Sequence, residues 1–258
     1  MSSTRITPPI QSIQRAAAIM RCFTEAEPEL GVTEIGQKTG LHKSTVSRML
    51  TTLQQEGFAD RNPETGKYRL GLGLISLAGV ALGRLNARAA SQPYLDGLVA
   101  ATQETVNVTV LNGRECINIE RAFSPQAIRY VGWIGRRTPP HCTASGKVCL
   151  AYMSPEERTA VLPQPLPRYT NKTIVALDSL TQDLEQIRRQ GYAIVHEEYE
   201  EGFSSIAAPI KNHLGEVVAA LAISGPTYRL EGEAIAAFID PLLQTTRQIS
   251  TDMGYRAE

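Results

Sequence analysis

Over the first sixty positions the apolar residues fall into three short runs at helical spacing. Ile13, Ala17 and Met20 repeat from Ile10 to about Cys22, and Pro28 and Gly31 in "TEAEPELG" end that pattern. "VTEIGQKTG" predicts a second, short helix with Thr33 as its N-cap and Gly40 just past its end. "LHKSTVSRMLTTLQQEGF" predicts a third, over about Lys43 to Gln55, because Val46, Met49, Leu50 and Leu53 stand at i, i+3, i+4 and i+7. The last two helices are joined so tightly that they form a helix-turn-helix. Beyond Phe58 the period drops to two around Asn62, Pro63 and Gly66, a β-hairpin that completes a winged helix-turn-helix.

"LGLGLISLAGVALGRLNARAA" returns to a helical period, rich in Leu and Ala with small Gly71, Gly73, Gly79 and Gly83. It reads either as a connecting helix that packs on a partner subunit or as an internal core helix, since periodicity does not name the surface that covers it. After it come a short helix following Pro93 and the hairpin "TVNVTVLNGRECINIERA" around Asn112-Gly113. A strand at "AIRYVGW", a helix from about Ala144, the loop "LPQPLPRYT" and a helix over 178–190 follow. Strands near 192–196, 203–210 and 216–224 and a C-terminal helix close the chain. The expected fold is α+β in two domains, divided as 1–71, a linker helix over 72–90, and 91–258, whose antiparallel sheet has flanking helices.

What does the polar face of the third helix serve? It carries Lys43, Ser44, Thr45, Ser47, Arg48, Thr51 and Thr52, with no carboxylate before Glu56. A merely solvated helix mixes Glu with Lys, whereas a face of cations and hydroxyls suits phosphates and base edges. Arg48 is the candidate for guanine. Arg61, Lys67 and Arg69 on the hairpin, with Lys67 and Arg69 alternating along one strand, are placed to reach the DNA backbone. Thr33 joins these as a candidate contact.

Composition narrows the class. The 258 residues are 42% hydrophobic and 20% charged with a formal net charge of +0, so any basic surface is local. Residues 1–85 carry ten Lys/Arg against seven Asp/Glu, and the remainder carries the matching acidic excess. Cysteines 22, 116, 142 and 149 form no CxxC pair and no ligand-like spacing with the four histidines, so no metal site is expected. The amino-terminal "MSSTRITPPI" has no apolar signal core, and the uncharged stretch Leu70 to Gly83 is too short to span a membrane. The expected location is cytoplasmic.

"HCTASGKVCLA" (141–151), "GYAIVHEEYEEGFSSIAAPI" (191–210) and "VVAALAISGP" (217–226), behind a winged helix, resemble the IclR family of bacterial transcription regulators over nearly the whole chain and in order. The resemblance implies a DNA-binding domain, a dimerising linker helix and a GAF-like effector-binding domain. It also implies assembly as a dimer or a dimer of dimers, and small organic acids as ligands. The family's pocket maps onto Ala144 and Ser145, onto Val195 where Asp is usual, onto Ser205 where Cys is usual, onto Ala222 where Ser is usual, and onto Ser224. The loss of polarity at Val195 and Ala222 favours an acid with a larger apolar body, such as an aromatic or longer-chain acid, over glyoxylate.

Each feature also has a plainer reading. The amides of Ala144 to Gly146 open a helix and favour an anion, while Thr143 is equally a simple N-cap. "SGK" is no phosphate loop, since Val148 stands where Ser or Thr is required, and no cofactor is expected. Adjacent His141 and Cys142 raise a thiol hydrolase as the rival class, although neighbours along an extended chain point apart. Glu197, Glu198, Glu200 and Glu201 read as a solvated turn rather than an acid/base site. Trp133 lines the pocket or fills the core. The partners expected are double-stranded DNA, a small-molecule effector and further copies of the chain, with no membrane. A dimerising adaptor without DNA contact is the remaining alternative.

Overall fold

Ile19, Ile35, Val46 and Leu50 are wholly buried together, and that shared core sets the first three helices. These are α1 (Gln11–Met20), α2 (Val32–Thr39) and α3 (Lys43–Gln55), in a computed structural model that describes residues 10–24, 26–83 and 86–256. Leu53 and Tyr68 complete the core, and Met49 is half-buried at its edge. Gly31, not Thr33, is the N-cap of α2: its N–H donates to Glu34 Oε2 at 2.5 Å, and Thr33 lies exposed in the first turn. Gly40 closes α2 with φ +69°, as expected of its position. His42 caps α3, its Nδ1 accepting from the Ser44 amide at 3.3 Å. The wing is β1 (Ala59–Arg61) paired antiparallel with β2 (Tyr68–Leu70), and α4 (Gly73–Gly83) follows it.

The chain divides into two units, Met1–Arg84 and Leu85–Glu258. The expected linker over 72–90 crosses Arg84 and Leu85, which, like the amino-terminal "MSSTRITPP", lie outside the described residues. Either side of that gap α4 belongs to the first unit and α5 (Asn86–Thr102) to the second. No separate helix starts after Pro93. That residue sits within α5, which is held by buried Leu95, Leu98 and Val99, so packing overrides the missing N–H.

The second unit is built on β3 (Thr105–Asn112), β4 (Glu115–Ala122), β5 (Arg137–Thr138), β6 (Ala193–His196), β7 (Phe203–Lys211) and β8 (Val217–Pro226). Their spatial order is β5-β4-β3-β8-β7-β6, every pairing antiparallel. Side chains alternate, so Val195, Ala207 and Ala222 face one side. There they pack with α6 (Ala144–Ala151) and α8 (Leu177–Gln190) through Val148, Leu180, Leu184 and Ile187. α5 and α10 (Ile239–Asp252) pack on each other and on the strands. The remaining helices are α7 (Pro155–Val161), opened by a Ser154/Glu157 capping box, and α9 (Gly232–Ala236), which breaks the expected C-terminal helix in two.

Residues 127–133 form no strand. The outer edge of β4 is taken by β5, and the alternation in "AIRYVGW" instead puts buried Gly132 against exposed Ile128 and Val131. Among the described residues no helix is long and apolar enough to cross a membrane, and no His/Cys/Asp/Glu group is placed to hold a metal ion.

Candidate functional site

Two surfaces concentrate chemistry, one in each unit. On α3 the expected stripe turns Val46, Leu50 and Leu53 inward and leaves Lys43, Ser44, Ser47 and Arg48 exposed, with Thr45 half-buried. The Ser44 hydroxyl lies 2.8 Å from His42 Nδ1, and the Thr51 and Thr52 hydroxyls donate back to the Ser47 and Arg48 carbonyls. The cations are therefore its most available donors. α1 adds a residue that sequence reasoning passed over: Arg15, with Gln11 and Ser12, lines a groove with Thr45, Arg48 and Thr52. Its position every fourth residue from Gln11 was visible, but not which side of α3 it would meet.

The wing cations are less free than their alternation suggested. Lys67 pairs with Glu34 at 3.1 Å, Arg69 stands 4.0 Å from Glu29, and Arg61 donates to the Gly66 carbonyl at 3.1 Å. Glu29 also accepts from Asn62 and Thr65, so it braces the wing turn. Exposed pairs of this kind are worth about 0–1 kcal/mol, and phosphates exchange with them readily.

In the second unit a cavity of about 60 Å³ lies against the start of α6. Strand register builds its floor: Val195 pairs with Ser205, Ser205 with Ser224, and Asn107 with Ala222. Thr143, Ala144 and Ser145 line it from above, so seven of the eight expected effector positions meet around one space. Trp133 is the exception. It neither lines the cavity nor fills the core, being half-buried with Arg136 stacked 5.1 Å from its ring centre.

Thr143 holds the N-cap position without capping. Its hydroxyl donates to the Pro139 carbonyl at 2.9 Å, so the first amides of α6 receive no side-chain acceptor. Gly146 makes the arrangement possible, because a Cβ there would stand 2.3 Å from the Pro140 carbonyl oxygen. Sequence reasoning missed the β3–β4 contribution of Asn107, Thr109 and Asn118, and that of Tyr130, Tyr199, Glu200 and Phe203. Polar residues inside otherwise apolar strands were the available signal.

The glutamates do lie in a turn, with Glu200 and Glu201 exposed as expected, but Glu198 is buried. Lys147, 1% exposed, donates to Glu198 Oε1 at 2.5 Å and to Asp183 Oδ2 at 2.8 Å. Glu197 takes Lys172 at 2.6 Å, and Glu200 takes Arg136 at 3.1 Å. Arg136 also lies 5.0 Å from the Tyr130 ring and 5.9 Å from that of Tyr199, so it joins the two loops that wall the cavity. These acids are structural partners that the charge run alone could not reveal.

Cys142 is no activated nucleophile. Burial pushes its thiol up to about 12. The adjacent His141 is lowered, first by burial, and its Nε2 faces the Pro167 carbonyl at 2.9 Å. A thiolate–imidazole pair needs the opposite environment.

Known proteins match both units. The model of the IclR helix-turn-helix domain covers residues 12–63, and that of the bacterial transcriptional regulator IclR C-terminal domain covers 79–251. The HTH-type transcriptional regulator XynR of Escherichia coli K12 is 38% identical over 251 residues, 97% of this chain and 100% of that one. The glycerol operon regulatory protein of Streptomyces coelicolor is 36% identical over 95% and 97%. The crystal structure of Thermotoga maritima IclR superposes with a TM-score of 0.75 at 30% identity, covering 95% of this chain and 99% of that one. An IclR homologue from Microbacterium hydrocarbonoxydans, crystallised with 4-hydroxybenzoate, gives 0.81 at 28% identity over 94% and 99%.

Proposed function

The chain belongs to the IclR family of transcriptional regulators, and from that premise we propose that α3 reads an operator while the α6 cavity binds a small carboxylic acid that controls it. The observation that carries the reading is α3 itself, an exposed helical face with two cations and no acid. Lys43, Ser44, Thr45, Ser47 and Arg48 enter the major groove, Arg48 for guanine. Thr33, Arg61, Lys67 and Arg69 hold phosphates, and α1 adds Arg15 beside them.

The effector's carboxylate sits on the uncapped amides of Ala144 and Ser145, where the partial positive charge of a helix start favours an anion. Thr143, Val195, Ser205, Ala222 and Ser224 surround its body. The 4-hydroxybenzoate in the Microbacterium homologue supports an acid of this kind. A hydrolase has no support, since the relatives are regulators and Cys142 is buried.

Two half-sites require two copies. α4 leaves Ile75, Leu77 and Val80 exposed, with Leu72 just before it 74% exposed, so the helix is apolar around its circumference and a second chain covers it. The dimer works on chromosomal DNA in the cytoplasm, and the acid acts by preferring one of its two arrangements. Footprinting on the DNA upstream of its own gene tests this: protection over two half-sites about one or more helical turns apart supports it. Retardation insensitive to salt would contradict it, because phosphate contacts release counterions.

A further inference from the structure

The cavity's far wall differs from the helix start that meets a carboxylate. Asn107 is 3% exposed and lines the cavity, yet its Oδ1 is buried with no hydrogen-bond partner. On the adjoining strand Asn118 is 6% exposed and spends its Oδ1 on the Thr109 hydroxyl at 2.9 Å, leaving its Nδ2. These two amide ends, an acceptor and a donor, converge: both stand 3.0 Å from the point where a Cβ on Gly132 would lie. Among the described residues the Ser145, Ser205 and Ser224 hydroxyls are likewise used by no protein group. Native proteins seldom leave buried polar groups unanswered, and a ligand site is one place where they do.

Which chemistry answers that wall? A methyl group or ring C–H leaves both amides unpaired, and a second carboxylate, acceptor-only, has no proton to give Asn107 Oδ1. A hydroxyl donates to Asn107 Oδ1 and accepts from Asn118 Nδ2. It answers either rotation of the Asn107 amide equally well, being donor and acceptor at once. β3 and β4 lie beyond β8 on the side away from β7 and β6, so the hydroxyl end of the ligand meets that part of the sheet, and Ala222 and Phe203 line the same space beside its carbon body.

We infer that the effector is a hydroxy-carboxylate whose hydroxyl is read by Asn107 and Asn118 beneath Gly132. The inference rests on the assignment of this cavity as the effector site and adds the chemical group at its second end.

The test is calorimetric titration of the full chain with two matched pairs, 4-hydroxybenzoate against benzoate and 4-hydroxybutyrate against butyrate. The hydroxy acid of at least one pair is expected to bind about tenfold or more tighter than its partner, the loss typical of an unanswered buried polar group. Asn107→Leu, similar in size, and Gly132→Ala, which fills the point above both amides, should each bring that ratio close to one, with near-ultraviolet circular dichroism reporting that the fold is kept. Equal affinities within both pairs for the wild-type chain, or a ratio that survives in both variants, would overturn this inference while leaving the cavity assignment intact. Binding of no acid from either pair would overturn the two together. The wild-type comparison stands whether or not the variants fold.

Discussion

The two units solve recognition in opposite ways. On the first unit the donors are long side chains in water, Lys43 and Arg48, which keep their charge accessible to a ligand that is large, regular and surrounded by counterions. In the second unit the donors are backbone amides, serines and asparagines, mostly buried, around a space of about 60 Å³. Among the described residues no Lys or Arg lines that space. A small acid bound there, as proposed, would be held by dipoles fixed before it arrives, while the cations Lys147 and Arg136 are spent on holding the walls. The difference teaches where to expect fragility. Removing a surface donor weakens one contact, whereas removing a wall-holding cation unbalances a buried network.

The largest effect should therefore come from Lys147→Met. It strands the Glu198 carboxylate, already unpartnered at Oε2, beside Asp183, and breaking such a buried pair costs about 3–5 kcal/mol. Urea denaturation followed by near-ultraviolet signal measures it, and a cost below about 1 kcal/mol would mean that the walls do not depend on this network.

Arg48→Ala comes next, with a loss of about 1–3 kcal/mol on the specific site and little on random duplex. Equal losses on both would make Arg48 a phosphate contact and blur the distinction between reading and positioning. Arg15→Ala should weaken binding uniformly across sequences and flatten the salt dependence by about one unit of slope. An unchanged slope would remove α1 from the DNA face.

The mildest effect is on pH. Burial holds His141 below its usual range, so the folded unit prefers the neutral ring. The unfolded chain takes up the proton first, and the stability due to this group is complete above about pH 6.5 and declines as the pH falls below it. Thermal melts from pH 7.5 to 5.5 should show that decline in the wild type and less of it in His141→Gln. Equal declines would assign the effect elsewhere.

Much of the first unit was legible because a helix on a core writes its period directly into the chain: α3 runs from Lys43 to Gln55 as the stripe required. Caps were less legible. Thr33 lost its role to Gly31 because Glu34 reached back to that amide, and Thr143 turned its hydroxyl to Pro139. Both outcomes depend on neighbours that local preference does not weigh.

In the second unit the strands and the α6 motif were readable, and with the family resemblance they located most of the cavity. Asn107 and Asn118 were not readable, because their importance arises when β3 pairs with β8 and β4. Glu198 was misjudged for a related reason: its partner, Lys147, is fifty-one positions away. Distant pairing is fixed by topology, and a charge run carries no trace of it.

The claim that joins the two units is that the acid in the cavity and the operator on α3 bias one equilibrium. The direct test is to measure the affinity of 4-hydroxybenzoate for the full chain with and without a saturating duplex from its own upstream region, and the duplex affinity with and without the acid. Coupling requires both ratios to be equal and to depart from one, by a factor of about 5–150. Two ratios of one, with both ligands bound, would contradict it.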